Sequence, residues 1–179
     1  MFLALIEGLA DYQVPVHFYL GFRNGTLDTG FERLITKSMD HNSESTENFL
    51  LDGLTILLAD DEERLLQILV MMIEELGGKV ISVNSCEGAL SIYRERREEI
   101  DVVMLDMRMR GMSGEAAFES IISDDPDARI ILSSGVRPRN ELLDSLAAHG
   151  CAFIEKPFDM DKLAQTVLSL VRADSDSPS

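Results

Sequence analysis

Cysteine and histidine are scarce in this chain. Its 179 residues include two cysteines, Cys86 and Cys151, and three histidines, His17, His41 and His149. The cysteines are far apart in sequence, which indicates two reduced thiols of a cytosolic protein rather than a disulfide framework. The histidines do not have the spacing of metal ligands, so we interpret them as surface or loop residues.

Basic residues and long apolar runs are also in short supply. Lysine and arginine number 16 against 32 acids, which gives a net charge of −16. Such a chain does not attract nucleic acid by general electrostatics, so direct nucleic-acid binding is not expected. The apolar start has no basic residues and is interrupted by Glu7 and Asp11, which argues against a signal peptide or a membrane span. A cytoplasmic protein without membrane contact is the expectation.

Two glycine-rich phosphate motifs are missing. No glycine-rich loop that ends in Lys-Ser or Lys-Thr is present, and no G-x-G-x-x-G follows the first predicted strand. A P-loop enzyme is therefore excluded and dinucleotide binding is unsupported. Apolar residues nevertheless make up 45% of the chain, enough for one good core.

The polar stretch "KSMDHNSESTENFLLDG" reads as a linker and divides the chain. Before it, residues 1–50 form an N-terminal extension that we leave unassigned. Residues 51–172 form the main domain, and residues 173–179 are predicted to be a disordered tail. No output domain that binds DNA is expected after Arg172.

Five apolar runs alternate with five amphipathic helical patterns in the main domain, beginning with "LTILLAD" and including "DVVMLD". This alternation predicts an α/β fold, a doubly wound five-stranded parallel sheet with helices on both faces. Ligands of such sheets bind beyond the carboxyl ends of the strands.

Polar side chains stand at those strand ends, and so at one edge of the predicted sheet. In chain order they are Asp60 and Asp61, Asp106, Ser133 and Ser134, and Lys156. Two carboxylates about 4 Å apart repel by about 4 kcal/mol at an effective dielectric constant of about 20, so a cation is needed. Oxygen ligands with open positions suit Mg²⁺, and the lysine adds a second positive charge. Asp106 can then accept a phosphoryl group as an acyl phosphate.

The segments "LLADDEE", "VVMLDMRMRGMSG", "IILSSG" and "FIEKPF" together resemble the receiver domain of two-component response regulators, from about Leu54 to Arg172. The resemblance implies the flavodoxin-like (CheY-like) strand order 2-1-3-4-5. It implies a protein that is not an enzyme beyond self-catalysed phosphoryl acceptance and dephosphorylation. A histidine kinase or histidine phosphotransfer protein would donate the phosphoryl group, and an unknown downstream protein would bind the phosphorylated chain. Homodimer formation is left open.

The same resemblance assigns the chemistry residue by residue. Asp106 matches the phospho-accepting aspartate. Asp60 and Asp61 match the acidic pair that organises Mg²⁺, with Asp61 the more direct ligand, and Arg108 would give its backbone carbonyl to the metal. Lys156 matches the lysine that pairs with the phosphoryl oxygens.

The resemblance also implies a switch. Ser134 matches the hydroxyl that moves to the phosphoryl group, Phe153 the aromatic residue that turns inward on activation, and Gly135 keeps the neighbouring position small. One departure concerns Arg110, which stands where the family usually has proline, and its loss is expected to loosen the loop before Gly111.

The same residues admit other interpretations. A phosphatase of the haloacid dehalogenase type wants a second acid two residues after the nucleophile, where this chain has Arg108. The acids Asp60 to Glu62 could simply form an acidic N-cap of the first helix. Two alternatives stay open, a detached C-terminal receiver module of a hybrid sensor kinase and a receiver-like interaction module that is not phosphorylated.

Overall fold

The computed structural model describes residues 22–23, 26–27 and 50–172. In the N-terminal extension, the strands Phe22–Arg23 and Thr26–Leu27 pair antiparallel. The tail predicted at residues 173–179 lies outside the described residues. The main domain is described from its first turn, where the backbone N–H of the fully buried Leu51 donates to the carbonyl of Leu76 at 2.9 Å.

Five strands form one parallel sheet in the main domain, and five α-helices connect and follow them. The strands are β1 (Thr55–Ala59), β2 (Lys79–Val83), β3 (Val102–Asp106), β4 (Ile130–Ser134) and β5 (Ala152–Glu155). The helices are α1 (Glu63–Glu75), α2 (Cys86–Arg96), α3 (Gly114–Asp124), α4 (Asn140–Ala148) and α5 (Met160–Arg172), with a 3₁₀ turn at Arg97–Glu99. The strand order β2-β1-β3-β4-β5 confirms the predicted α/β sheet and its order.

The sequence explains why these elements form and stop. β3 and β4 are buried at all five positions, as strands in the interior of a parallel sheet should be, and each begins with an apolar run. The side chains of Ser85 and Ser113 accept from the backbone N–H groups of Gly88 and Ala116, which caps the starts of α2 and α3. Gly77 follows α1 with a φ of 88°, a backbone conformation suited to glycine.

The core lies on both faces of the sheet. One apolar cluster contains residues of α2, α3 and α4, among them Ala89, Phe118 and Leu142, packed with alternate residues of the central strands. The intervening strand residues point to the other face, because successive side chains of a strand alternate. α1 and α5 contact one another there, and each contributes buried apolar residues such as Ile73 and Val167. Among the described residues, no helix is long and apolar enough to cross a membrane.

The strand register brings the polar strand ends together. Asp106 at the end of β3 pairs with Ser133 of β4, and Ser134 pairs with Glu155 of β5. Since all five strands run parallel, the loops that follow them lie along one edge of the sheet. That edge is where the predicted site residues stand.

Candidate functional site

Lys156 lies between two buried carboxylates. Its Nζ donates to Asp106 Oδ1 at 2.6 Å and to Asp60 Oδ2 at 2.7 Å. Asp106 is 8% exposed and Asp60 is 2% exposed, so both acids are largely removed from water. One ammonium group is therefore shared by two buried carboxylates.

Backbone N–H groups hold the other oxygen of each acid. Arg108 N donates to Asp106 Oδ2 at 2.7 Å, and Glu62 N donates to Asp60 Oδ1 at 2.9 Å. All four carboxylate oxygens thus accept a hydrogen bond. These contacts fix the orientation of Asp106 before any ligand arrives, and they leave the pair of acids with one negative charge in excess of Lys156.

The environment of Lys156 favours its charged form. Burial alone would lower the pKa of this lysine, but the hydrogen bonds to Asp106 and Asp60 outweigh burial and raise the pKa above its usual value. Lys156 is therefore a fixed positive charge at neutral pH.

Asp61 forms an ion pair with Arg110, whereas Asp60 and Asp106 contact Lys156. Its Oδ2 accepts from the backbone N of Arg110 at 3.2 Å and from the guanidinium Nε of Arg110 at 3.3 Å. β1 ends at Ala59, so Asp60 and Asp61 lie in the turn after the strand, not in its last positions as predicted. Across the described residues, no three acids, cysteines or histidines already converge into a metal cage.

The N-cap interpretation of this acidic segment holds only in part. The N-cap of α1 is Glu62, and its side chain makes no capping hydrogen bond. The side chain of Asp60 accepts from the N–H of Glu62 itself, which stabilises the turn that enters the helix. Asp61 makes its bonds across the edge of the sheet to Arg110, so a capping role does not account for it.

The two adjacent serines of β4 have different partners. Ser133 Oγ donates to the carbonyl of Leu105 at 3.4 Å, within the sheet. Ser134 Oγ accepts from the N–H of Val136 at 3.2 Å, in the loop that leads to α4. The hydroxyl of Ser134 thus contacts the loop after β4, whereas the hydroxyl of Ser133 links β4 to β3. In β5, Phe153 is partly buried and packs against the core cluster.

A glycine lets the acceptor strand and the helix after it approach closely. A Cβ on Gly114, the first residue of α3, would lie 2.3 Å from the backbone oxygen of Asp106. That distance is far too short for any side chain, so only glycine fits. Gly135, by contrast, has no heavy atom within 4 Å of such a position, so the space beside it is open.

The first turn of α2 holds the loop that follows β3, a relationship that the sequence analysis missed. Glu87 Oε1 accepts from the N–H of Met112 at 2.9 Å and lies against Gly111, whose φ is 84°. Next to it, Cys86 Sγ lies 3.5 Å from Met109 Sδ in the core. The position of Glu87 in the sequence could have indicated this contact, because Glu87 follows β2 and therefore lies near the same edge of the sheet.

Comparison with known proteins agrees with this geometry. The family model described as the response regulator receiver domain matches residues 56–168. CheY, a chemotaxis protein of Bacillus subtilis, is 27% identical over 112 residues, which cover 63% of this chain and 92% of CheY. A solved CheX–CheY–BeF₃–Mg complex from Borrelia burgdorferi matches with a TM-score of 0.61 and 28% identity, over 66% of this chain and 90% of that one.

Longer regulators match as well. The probable transcriptional regulatory protein TcrX of Mycobacterium tuberculosis is 26% identical over 118 residues, 66% of this chain and 50% of TcrX. For the response regulator ARR14 of Arabidopsis thaliana, the matched part is 31% of its length. The chain therefore spans half or less of these two relatives. A parallel α/β sheet with paired acids and a lysine at its carboxyl edge defines a receiver-like protein. With the family model covering most of its length, the chain belongs to the response regulator receiver domain family.

Proposed function

We propose that this chain accepts a phosphoryl group on Asp106, in a reaction that depends on Mg²⁺, and thereby switches a surface that binds another protein. The observation that carries the proposal is the contact of Lys156 with both Asp106 and Asp60. Asp106 is buried and held by hydrogen bonds, yet it stands at the strand edge where ligands of such sheets bind.

The donor set fits a magnesium ion. Asp61 and Asp106 offer carboxylate oxygens, and Arg108, in the loop after Asp106, offers a backbone carbonyl. Oxygen atoms of these kinds are the ligands that Mg²⁺ prefers. The surplus negative charge beside Lys156 favours a further cation. When bound, the ion would neutralise the phosphoryl oxygens as charge builds on them.

The residues of the chain then have distinct roles. A carboxylate oxygen of Asp106 attacks the phosphorus of a phosphohistidine, the P–O bond forms, and the P–N bond breaks with its electron pair on the histidine nitrogen. Lys156 leaves Asp106 for a phosphoryl oxygen and keeps its contact with Asp60. Phosphoryl transfer needs mainly such positioning and charge neutralisation. A histidine kinase or phosphotransfer protein is the proposed donor, since the chain is a receiver domain.

Ser134, at the start of the loop after β4, would transmit phosphorylation of Asp106 to the protein-binding surface. Ser134 Oγ now accepts from Val136, and its hydroxyl proton is available for a phosphoryl oxygen on the neighbouring strand end. Movement of this loop toward Asp106 would vacate space that Phe153 can fill. The surface formed by α4, β5 and α5 is the proposed protein-binding face.

Labelling with a small phospho-donor tests the proposal directly. Wild type is incubated with acetyl phosphate, with Mg²⁺ or with EDTA, and its intact mass is measured before and after hydroxylamine. We expect one phosphate per chain in Mg²⁺, removed by hydroxylamine, and none in EDTA. Asp106→Asn should gain none, whereas Asp144→Asn, an exposed acid of α4, should label as wild type does. Labelling of Asp106→Asn, or equal labelling in EDTA, overturns the proposal.

A further inference from the structure

Arg110 brings a second cation to the edge of the site. Its backbone N–H and its guanidinium Nε both donate to the same oxygen, Asp61 Oδ2, at 3.2 and 3.3 Å. The side chain of Arg110 is 91% exposed and that of Asp61 is 23% exposed, so this contact is the fixed part of an otherwise solvated arginine.

Asp61 is the acid of the site that Lys156 does not reach. Among the described acids of this edge, Lys156 Nζ contacts Asp60 at 2.7 Å and Asp106 at 2.6 Å, and it makes no ion pair with Asp61. In the absence of a divalent ion, the charge of Asp61 is therefore balanced by Arg110. A metal ion that used Asp61 would have to compete with that guanidinium for the carboxylate.

We infer that Arg110 is a competitor of the divalent cation at Asp61, and that it raises the Mg²⁺ concentration at which this receiver becomes ready for phosphorylation. The inference rests on the proposed function and deepens it, because it names a residue that sets the response of that same site to Mg²⁺. The guanidinium leaves for solvent when the ion binds, which its exposure permits.

The size of the effect follows from the kind of contact. Ion pairs between exposed side chains contribute 0.2 to 1 kcal/mol in typical cases, so displacement of Arg110 weakens ion binding by at most about fivefold. The expected change is therefore modest in size but definite in sign.

Arg108 offers a matched control on the same loop. It also carries one positive charge, its side chain is exposed, and it makes no ion pair with any described residue. Replacing Arg108 with glutamine removes the same charge from the neighbourhood, keeps the backbone carbonyl that is a proposed metal ligand, and leaves the contact between Arg110 and Asp61 in place. The comparison separates direct competition at Asp61 from a general change of the electrostatic field.

The experiment is a calorimetric titration of the unphosphorylated full chain with MgCl₂ at constant ionic strength. We expect Arg110→Gln to bind Mg²⁺ about 1.4- to fivefold more tightly than wild type. Arg110→Lys, which keeps the charge, should stay nearer to wild type, and Arg108→Gln should gain less than Arg110→Gln. Asp61→Asn should lose most of the binding in either background.

The outcomes distinguish the two proposals. Unchanged Mg²⁺ affinity in Arg110→Gln, or an equal gain in Arg108→Gln, overturns the competition while leaving the proposed function intact. Failure of wild type and of every variant to bind Mg²⁺ overturns the metal dependence of the proposed function and this inference with it. Because Arg110 is almost fully exposed, these substitutions leave the fold unchanged, and the unfolding curve of each variant checks this.

Discussion

Arg139 and Glu115 form a two-point ion pair across the loops beside the acceptor. Arg139 Nη1 donates to Glu115 Oε2 at 3.1 Å, and Nη2 donates to Oε1. Glu115 lies in the first turn of α3, and Arg139 is the N-cap residue of α4. The pair therefore joins the end of the loop that follows Ser134 to the helix that follows the acceptor loop.

Breaking this pair should loosen the loop at residues 135–139 without unfolding the domain. Both partners are partly exposed, so Glu115→Gln should leave the unfolding transition almost unchanged. Amide hydrogen exchange at residues 135–139, followed by mass spectrometry, should become faster. Arg94→Gln breaks a different exposed pair, with Asp124, and should leave exchange there unaltered. Equal exchange in Glu115→Gln and wild type would show that the ion pair does not restrain the loop.

Removing Lys156 should destabilise the metal-free domain much more than removing Asp106. Lys156→Met leaves two buried acids without their ammonium partner, and loss of one side of a buried ion pair costs about 3 kcal/mol. Asp106→Asn leaves a one-to-one pair of Lys156 with Asp60, so we expect less than half of that loss. Urea unfolding in EDTA measures both. A smaller loss for Lys156→Met than for Asp106→Asn would contradict the charge balance derived for this site.

Ser134→Ala and Ser133→Ala should separate the switch from the sheet. Because the Ser134 hydroxyl is the proposed contact with the phosphoryl group and is not the acceptor, Ser134→Ala should permit labelling of Asp106 but abolish the phosphorylation-dependent change at Phe153. Aromatic NMR signals of Phe153, recorded with and without acetyl phosphate, report that change. Ser133→Ala, which loses only a bond to the Leu105 carbonyl, should keep it. An unaltered Phe153 response in Ser134→Ala would remove Ser134 from the switch.

Cys86 should resist alkylation in the folded protein. Burial, followed by the charges of Glu87 and Asp106, raises the pKa of its thiol from 9.0 to about 11. Because the folded state favours the neutral thiol, this contribution to stability is complete below pH 9 and is lost as the pH rises toward 11. We expect no iodoacetamide adduct on native Cys151→Ser at pH 8 and one adduct in urea, counted by intact mass. Rapid modification of the native variant would mean that Cys86 is accessible.

Much of the fold and the polar edge was predictable from the sequence. Apolar runs of strand length marked the centre of the sheet, as β1 shows, where the run from Leu54 to Asp60 became Thr55–Ala59. Alternation of strands and helices then fixed a parallel sheet, and parallel strands bring their ends to one edge. Lys156 and Asp106 are 50 residues apart, yet their positions at the carboxyl ends of two strands of the same parallel sheet were enough to predict that they share one edge.

Loop contacts could not be predicted in the same way. Asp61 and Arg110 are 49 residues apart and meet through two loops, whose backbone conformation no periodic pattern encodes. The expectation that loss of proline at position 110 loosens this loop took no account of Glu87, which holds Met112 from another helix. The resemblance assigned the switch to Ser134, but the hydrogen bonds that distinguish it from Ser133, one of them to a backbone N–H in the next loop, could not be predicted.

The contact of Glu87 with the acceptor loop has a consequence for how this domain can be rebuilt. The loop is held in place from outside, by the first turn of a helix more than twenty residues earlier in the chain. A chimera that receives residues 107–113 alone would therefore have the sequence of this loop but not its backbone conformation. We expect the loop to keep its conformation in another domain only when Cys86 and Glu87 are transferred together with it. The two segments are separated in the chain but have to be exchanged together.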